Sequence, residues 1–333
     1  MKFVVVGLGS MGKRRIRNLM ALGYRELAGI DVREDRRVEA EGKYQINTFA
    51  EFDEAIEQFR PDVLIVSTGP SEHMHYANEA LRLRIPCFIE ASVVDGEMIE
   101  ELHHKSLRAN VVIVPSCTMK YAPGVKIVKE LVTKGVIGKP LNINYQHGQY
   151  LPDWHPWESV KDFYVSQRDT GGAREILPFE LTWINDIFGL PIPISCLNIK
   201  LSDIDVDIDD VYHCLLAYPD GLLANITIEV VSRPEMTREF RLLGTTGTIV
   251  YSDMDHSVKY RTVGDKDWTR VGFDEGTKEP GYINPEEPYI EEMADFMLAV
   301  KNNDRSRFPN TLLQDSQVLK ILCDLEKLGV PRQ

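Results

Sequence analysis

Glycines at positions 7, 9 and 12 carry the first recognisable chemistry of this chain. They form G-x-G-x-x-G directly after the apolar run "KFVVV". Gly7 permits a tight turn, Gly9 lets a pyrophosphate approach the backbone, and Gly12 lets the following helix pack close to the strand. Ser10 and Met11 open that helix, whose N–H groups and positive dipole end suit phosphate. The next apolar run, "ELAGID", ends in Asp31 at the spacing where an acid accepts from ribose hydroxyls. That spacing favours NAD over NADP. Arg33 and Arg36 follow, and either would instead meet a 2′-phosphate.

A second cluster lies in "HGQYLPDWHPWESVKDFYVSQRDTGG", which gathers Tyr150, Asp153, Trp154, His155, Trp157, Tyr164 and Arg168. Aromatic faces stack on sugar rings, and Asp, His and Arg bond hydroxyls or a carboxylate. The alternative is an irregular loop with half-buried aromatics. His155 and Tyr164 are proton carriers in this stretch. In "GGAREILPFE", the charged Arg174, Glu175 and Glu180 stand near the start of an apolar helix. They form either a solvated first turn, where glutamate suits the dipole, or part of a site. A helix turns about 100° per residue, so Glu175 and Phe179 share a face.

Composition excludes several classes of partner. Lys plus Arg number 38 against 51 Asp plus Glu, a net charge of −13 in 333 residues. Sequence-independent nucleic-acid binding and anionic membranes both need a basic face, so neither is expected. No apolar run approaches a transmembrane length, and the N-terminal run leads into the glycine motif rather than a cleavage site. The expected location is cytoplasmic. Five scattered cysteines without CxxC are expected to be reduced; Cys117 is the one with an alternative as nucleophile. His73 and His75 point to different sides of a helix, and no metal-ligand cluster is expected.

These residues need a scaffold, and the chain alternates to supply it. "PDVLIVST", "PCFIEA" and "NVVIVPSC" read as strands, and "SEHMHYANEALRLR" and "GEMIEELHHKSLRA" as helices. Such alternation implies right-handed crossovers and a doubly wound parallel sheet. Ligand groups should then gather at strand C-terminal ends: Gly7 to Gly12, Asp31, Ser67 to Pro70, Glu90 to Ser92, and Ser116 to Lys120. Beyond that, "LNINYQHGQYL", "PISCLNIKLSD", "DDVYHCLLAYPDGLLANITIEVVS" and "EFRLLGTTGTIVYSD" show period-two strands, with a hairpin signal at Asp220-Gly221.

The order of motifs resembles the glucose-fructose oxidoreductase / inositol dehydrogenase / MocA (Gfo/Idh/MocA) family. "VSTGPSEHMHYANEAL" resembles its segment against the adenosine half of the cofactor, which implies contacts from Ser67, Thr68, Gly69, Pro70 and His73. "CTMKYAPGVKIVKELVTKGVIGKP" resembles its crossover, "FRLLGTTGTIVY" its glycine hairpin, and "PYIEEMADFMLAVKN" its late helix. The "YLPDWHPWE…FY" pattern is similar to members that act in surface-polysaccharide and nucleotide-sugar pathways. The resemblance implies an α/β chain. An N-terminal Rossmann domain over 1–120 is followed by an α+β domain over 121–333 with a large open, mostly antiparallel sheet. Late helices near 286–302 and 312–328 would pack back on the first domain. It also implies substrate held between the domains and a homodimer or homotetramer built through the C-terminal sheet.

The chain departs from the family where the chemistry should be. Glu90 matches the glutamate near the nicotinamide ribose, but Ala91 stands where the family has lysine. In "TGGAREILPFELTWIND" the register puts Ile176 at the family's acid and Phe179 at its histidine. Lys120 ends the next strand where the family has arginine, so it should face the same cleft. The expectation is an NAD-dependent oxidoreductase (CH–OH donor) acting on a sugar or nucleotide sugar. Its proton relay is rebuilt from Lys120, His155, Tyr164 and Glu175, and Tyr150, Asp153, Trp154, Trp157, Arg168 and Phe179 contribute to substrate binding. The alternatives are an idle NAD- and sugar-binding protein, or a lyase or hydrolase with tightly held NAD.

Overall fold

The computed structural model describes residues 1–156 and 158–329, and the chain divides into two compact units. Trp157 lies outside the described residues.

The first unit comprises Met1–Thr118 and Glu286–Gln317. Its elements in order are β1 (Phe3–Val6), α1 (Ser10–Ala21), β2 (Leu27–Ile30), α2 (Glu34–Tyr44), β3 (Asn47–Phe49), α3 (Phe52–Phe59), β4 (Val63–Val66), α4 (His73–Leu83), β5 (Cys87–Ile89), α5 (Gly96–Ala109) and β6 (Ile113–Pro115). β1, β2 and β4 are buried at every position. Helices cover both faces of a parallel sheet, which is why these runs are apolar without alternation. The strand order is β3-β2-β1-β4-β5-β6 and every pairing is parallel. This is the dinucleotide-binding order, with its direction reversing between β1 and β4.

The second unit comprises Met119–Pro285 and Val318–Gln333. Its elements are α6 (Pro123–Thr133), β7 (Pro140–Gly148), α7 (Ala173–Phe188), β8 (Ile192–Ile199), β9 (Val211–Ala217), β10 (Leu223–Glu229), β11 (Thr237–Gly244), β12 (Gly247–Ser252), β13 (Ser257–Thr262) and β14 (Thr269–Gly272). They form one sheet of order β14-β13-β12-β11-β7-β10-β9-β8. It is antiparallel except where β10 lies parallel beside β7. α6 and α7 cover one face. Burial therefore alternates along β9 and β10, and the other face shows Leu197, Leu215 and Leu223 to solvent. The expected hairpin forms at Asp220-Gly221, both at positive φ (60° and 82°) as a primed turn demands.

α8 (Glu287–Asn302) belongs to the first unit and packs on α1. Glu286, just before it, accepts from Arg14 (3.1 Å), Arg17 (2.8 Å) and Asn18 (3.0 Å). α9 (Leu312–Lys327) begins in the first unit and ends in the second.

Candidate active site

The glycine loop follows β1 at the point where strand order reverses. Gly7 sits at φ +88°, and a Cβ there would lie 2.6 Å from the Ser67 carbonyl oxygen. A Cβ on Gly12 would lie 1.8 Å from the Gly7 carbonyl oxygen. Both positions therefore require glycine. Over Gly9 the space is open, with only the Arg36 guanidinium 3.5 Å from a built Cβ. α1 starts there with no side-chain cap and no acid in its first turn of Ser10, Met11 and Gly12. An uncapped helix start beneath open space fits a pyrophosphate.

Asp31 closes the loop from the end of β2. It is buried and accepts from the Leu8 N–H (2.8 Å) and the Arg33 N–H (2.9 Å). A carboxylate has further lone-pair positions, so these bonds leave it able to accept from ribose hydroxyls. Arg33 turns outward onto Asp35, and Arg36 lies 3.7 Å from Asp31.

The segment Ser67 to Pro70 leaves β4 opposite the glycine loop. His73 holds it, with Nε2 3.0 Å from the Thr68 carbonyl oxygen and Nδ1 2.8 Å from Ser92 Oγ. Burial pushes this imidazole down to about 4, so it is neutral and positions the loop. Thr68 Oγ1 is buried without a partner, a group that a ligand hydroxyl would satisfy. Gly69 precedes Pro70, which opens a short turn before α4.

Glu90, at the end of β5, is engaged from below by a residue that sequence reasoning missed. Arg15 of α1 is fully buried and donates to both Glu90 oxygens, at 2.5 and 2.9 Å. Its other nitrogen lies 2.9 Å from Glu292 of α8. Glu292 also accepts from Ser116, Thr118 and the Cys117 N–H. Cys117 itself is buried. Arg15 looks like one more base in "KRRIR", but it follows Gly12 by three and precedes Leu19 by four, on the buried face of α1. Ala91, half-buried, follows Glu90.

In the second unit the structure brings two of the expected proton carriers together. Tyr164 Oη donates to Glu175 Oε1 at 2.5 Å. Glu175 Oε2 is buried without a partner, and burial raises this carboxyl to about 7. Gly171 and Gly172 make the approach possible. A Cβ on Gly171 would lie 1.8 Å from the Val165 carbonyl oxygen, and Gly172 sits at φ +65°. The Tyr164 carbonyl is held by Thr170 Oγ1 at 2.8 Å.

Lys120 and His155 have partners of their own. Lys120 Nζ lies 3.2 Å from Asp186, which Lys129 shares. Asp186 follows Glu175 by 11 residues of α7, or about 16 Å along the axis. His155 bonds Glu158 at 2.8 Å and stacks on Phe163. The other predicted substrate residues each have their own surroundings. Tyr150 lies under the Arg233 guanidinium at 3.9 Å, Asp153 is exposed, and Arg168 pairs with Asp207. Trp154 has its indole N–H buried without a partner, and Phe179 is half-buried on α7. Glu180 is not part of a solvated turn. It is fully buried and binds Tyr145 (2.6 Å), Trp183 (2.7 Å) and Arg238 (2.7 Å). Its spacing from Leu177, Trp183 and Ile184 places it on the buried face of α7.

The comparisons agree with this architecture. The backbone is similar to levoglucosan dehydrogenase in complex with NADH and levoglucosan, at 16% identity over 98% of this chain and 96% of that one, TM-score 0.84. It is similar to a probable dehydrogenase from Thermotoga maritima, at 19% identity over 99% and 97%, TM-score 0.78. It is also similar to UDP-N-acetylglucosamine 3-dehydrogenase from Acidithiobacillus ferrooxidans, at 15% identity over 99% and 97%, TM-score 0.76. These likenesses are of fold. No protein of curated function matches the sequence. Residues 1–114 match the oxidoreductase family with an NAD-binding Rossmann fold, and residues 125–250 match the GFO/IDH/MocA C-terminal domain. With both domains matched in order over most of its length, the chain belongs to the Gfo/Idh/MocA family of oxidoreductases, whose first domain binds NAD.

Proposed function

We propose that this oxidoreductase acts on a hydroxyl or carbonyl of a sugar or nucleotide sugar, with Tyr164 and Glu175 as its proton relay. The observation that carries this reading is the bond from Tyr164 to a buried carboxyl raised to about 7. A general base works best with a pKa near the operating pH. NAD, when bound, supplies the hydride acceptor. Tyr164 Oη takes the proton of the substrate hydroxyl as its own proton passes to Glu175 Oε1. In the reverse direction protonated Glu175 resupplies it. Ala91 offers no proton at the position where the resemblance expects lysine, and Ile176 and Phe179 offer none on α7.

The aromatic segment around Tyr150 and Trp154 supports a sugar as substrate, since a hydroxyl would satisfy the buried indole N–H. The exposed Leu197, Leu215 and Leu223 on the bare sheet face support pairing with a second copy. The discriminating experiment records nicotinamide absorbance while the chain is offered NAD with neutral sugars, sugar acids and nucleotide sugars. Steady NADH formation is expected with at least one. Product formed without net NADH would indicate a lyase or hydrolase, and binding without product an idle protein.

A further inference from the structure

β7 and β10 run parallel side by side, with Asn142 opposite Leu223 and Gly148 opposite Glu229. The segments that follow them therefore leave the same end of the sheet. One carries Tyr150 and the other Arg233. They are fastened where the Gln149 N–H donates to the Glu229 carbonyl at 3.2 Å and where Tyr150 bridges Val231, the Leu151 N–H donating to the Val230 carbonyl at 3.0 Å. Buried Glu229 fixes the second segment by accepting from the Val231 N–H at 2.7 Å and from the Ser232 hydroxyl. The Arg233 guanidinium is thereby laid 3.9 Å from the centre of the Tyr150 ring. α7 starts at this end too. Its Ala173 N–H donates to the Asp209 carbonyl at 3.0 Å, and the neighbouring Asp210 carbonyl accepts from the Val230 N–H at 2.9 Å. Glu175 stands two residues beyond Ala173, bonded to Tyr164.

Stacking occupies the face of a guanidinium and leaves its N–H edge free in the plane, a geometry that suits the paired oxygens of a carboxylate or phosphate. Other arginines at this end are already neutralised: Arg168 by Asp207, and Arg238 by Glu180 and Asp253. Arg233 is exposed and, among the described residues, has no carboxylate partner. In a chain of net charge −13 it is a local positive group.

We propose that Arg233, oriented by Tyr150, binds an anionic group of the substrate, either a sugar carboxylate or the phosphate of a nucleotide sugar, and so determines which sugars the chain accepts. The proposal rests on the reading of the chain as a sugar oxidoreductase. The full chain, saturated with NAD, is titrated by calorimetry with glucose, glucuronate, UDP and UDP-glucose. Binding of glucuronate or of the UDP compounds is expected to weaken about tenfold or more in Arg233→Ala. It should weaken less in Arg233→Lys, and glucose binding should move in neither. Tyr150→Phe keeps the stacking face and should retain the affinity that Tyr150→Ala loses. A loss confined to glucuronate identifies the carboxylate, and a loss confined to UDP and UDP-glucose the phosphate. Unchanged anion affinity in Arg233→Ala, or no anion binding to the native chain, overturns the proposal. NADH recorded in parallel tests the underlying reading separately: Arg233-dependent binding without NADH from any sugar would refute the sugar chemistry and leave the anion site standing.

Discussion

Tyr164 reaches Glu175 across two consecutive glycines, and the 2.5 Å bond between them joins a phenol to a carboxyl whose second oxygen has no partner. If this pair moves the proton, Tyr164→Phe and Glu175→Gln should each lower kcat by about 10²- to 10⁴-fold. NAD affinity should not change. The rate of sugar oxidation in the unmodified chain should rise through about pH 7 as Glu175 ionises, and that rise should vanish in Glu175→Gln. Full activity in both variants would transfer the role elsewhere, with His155 the next candidate.

The same carboxyl makes a prediction about stability. Burial raises its folded-state pKa from the ordinary 4.5 to about 7. The unfolded chain therefore ionises first, and folding loses stability as pH climbs from the ordinary carboxyl value to about 7. Glu175→Gln removes that loss while keeping a partner for Tyr164. The variant should melt a few degrees above the unmodified chain at pH 8 and close to it at pH 4.5. Equal melting temperatures at both pH values would show that Glu175 is not desolvated in solution.

How much of this was legible in the sequence depends on how local the cause is. The glycine loop and Asp31 could be read because turn geometry and helix packing are fixed within a few residues. The Asp220-Gly221 hairpin could be read for the same reason. Glu90 could be placed at a strand end, but its partner Arg15 lies 75 residues away in the chain. Lys120 was expected at the reacting centre from its strand end alone. Its ion pair with Asp186 could not be read there, because it depends on where α7 packs. Glu180 was half legible: its charge suggested solvent, while its spacing from Leu177 and Trp183 gave its burial.

The buried arginine makes a separate test. Arg15 faces Glu90 and Glu292 with no access to water. Removing one side of such a cluster leaves uncompensated buried charge, a loss of about 3–5 kcal/mol. Arg15→Met should lower the urea midpoint at pH 7 accordingly. Adding Glu292→Gln should recover part of it, because one of the stranded carboxylates is then neutral. No recovery would mean that lost packing on Phe88, not charge, dominates.

Cofactor choice rests on Asp31. Its carboxylate is fixed by the N–H groups of Leu8 and Arg33 and would repel a 2′-phosphate. NAD should bind more tightly than NADP. Asp31→Asn should weaken NAD by about 1.5–3 kcal/mol, the worth of a hydrogen bond to a charged group, and narrow the gap to NADP. Calorimetry on both cofactors decides it, and NADP binding as tightly as NAD to the unmodified chain would redirect attention to Arg36.

The final test separates the position of Tyr164 from its chemistry. A Cβ at residue 171 would stand 1.8 Å from the Val165 carbonyl oxygen and 2.5 Å from its Cα. Backbone cannot yield there without moving the neighbouring Tyr164. Gly171→Ala keeps every ionisable group, yet a shift of about 1 Å in a reacting group can cost about 10²-fold. The variant should therefore lose kcat on that scale while its NAD affinity stays unchanged, since the glycine loop belongs to the other unit. Gly42→Ala is the control. It lies inside α2 with nothing within 4 Å of a built Cβ, so it should keep full activity and gain slightly in stability. If Gly171→Ala turned over like the control, the contact between Tyr164 and Glu175 would not govern the reaction, and the relay would have to be sought outside α7.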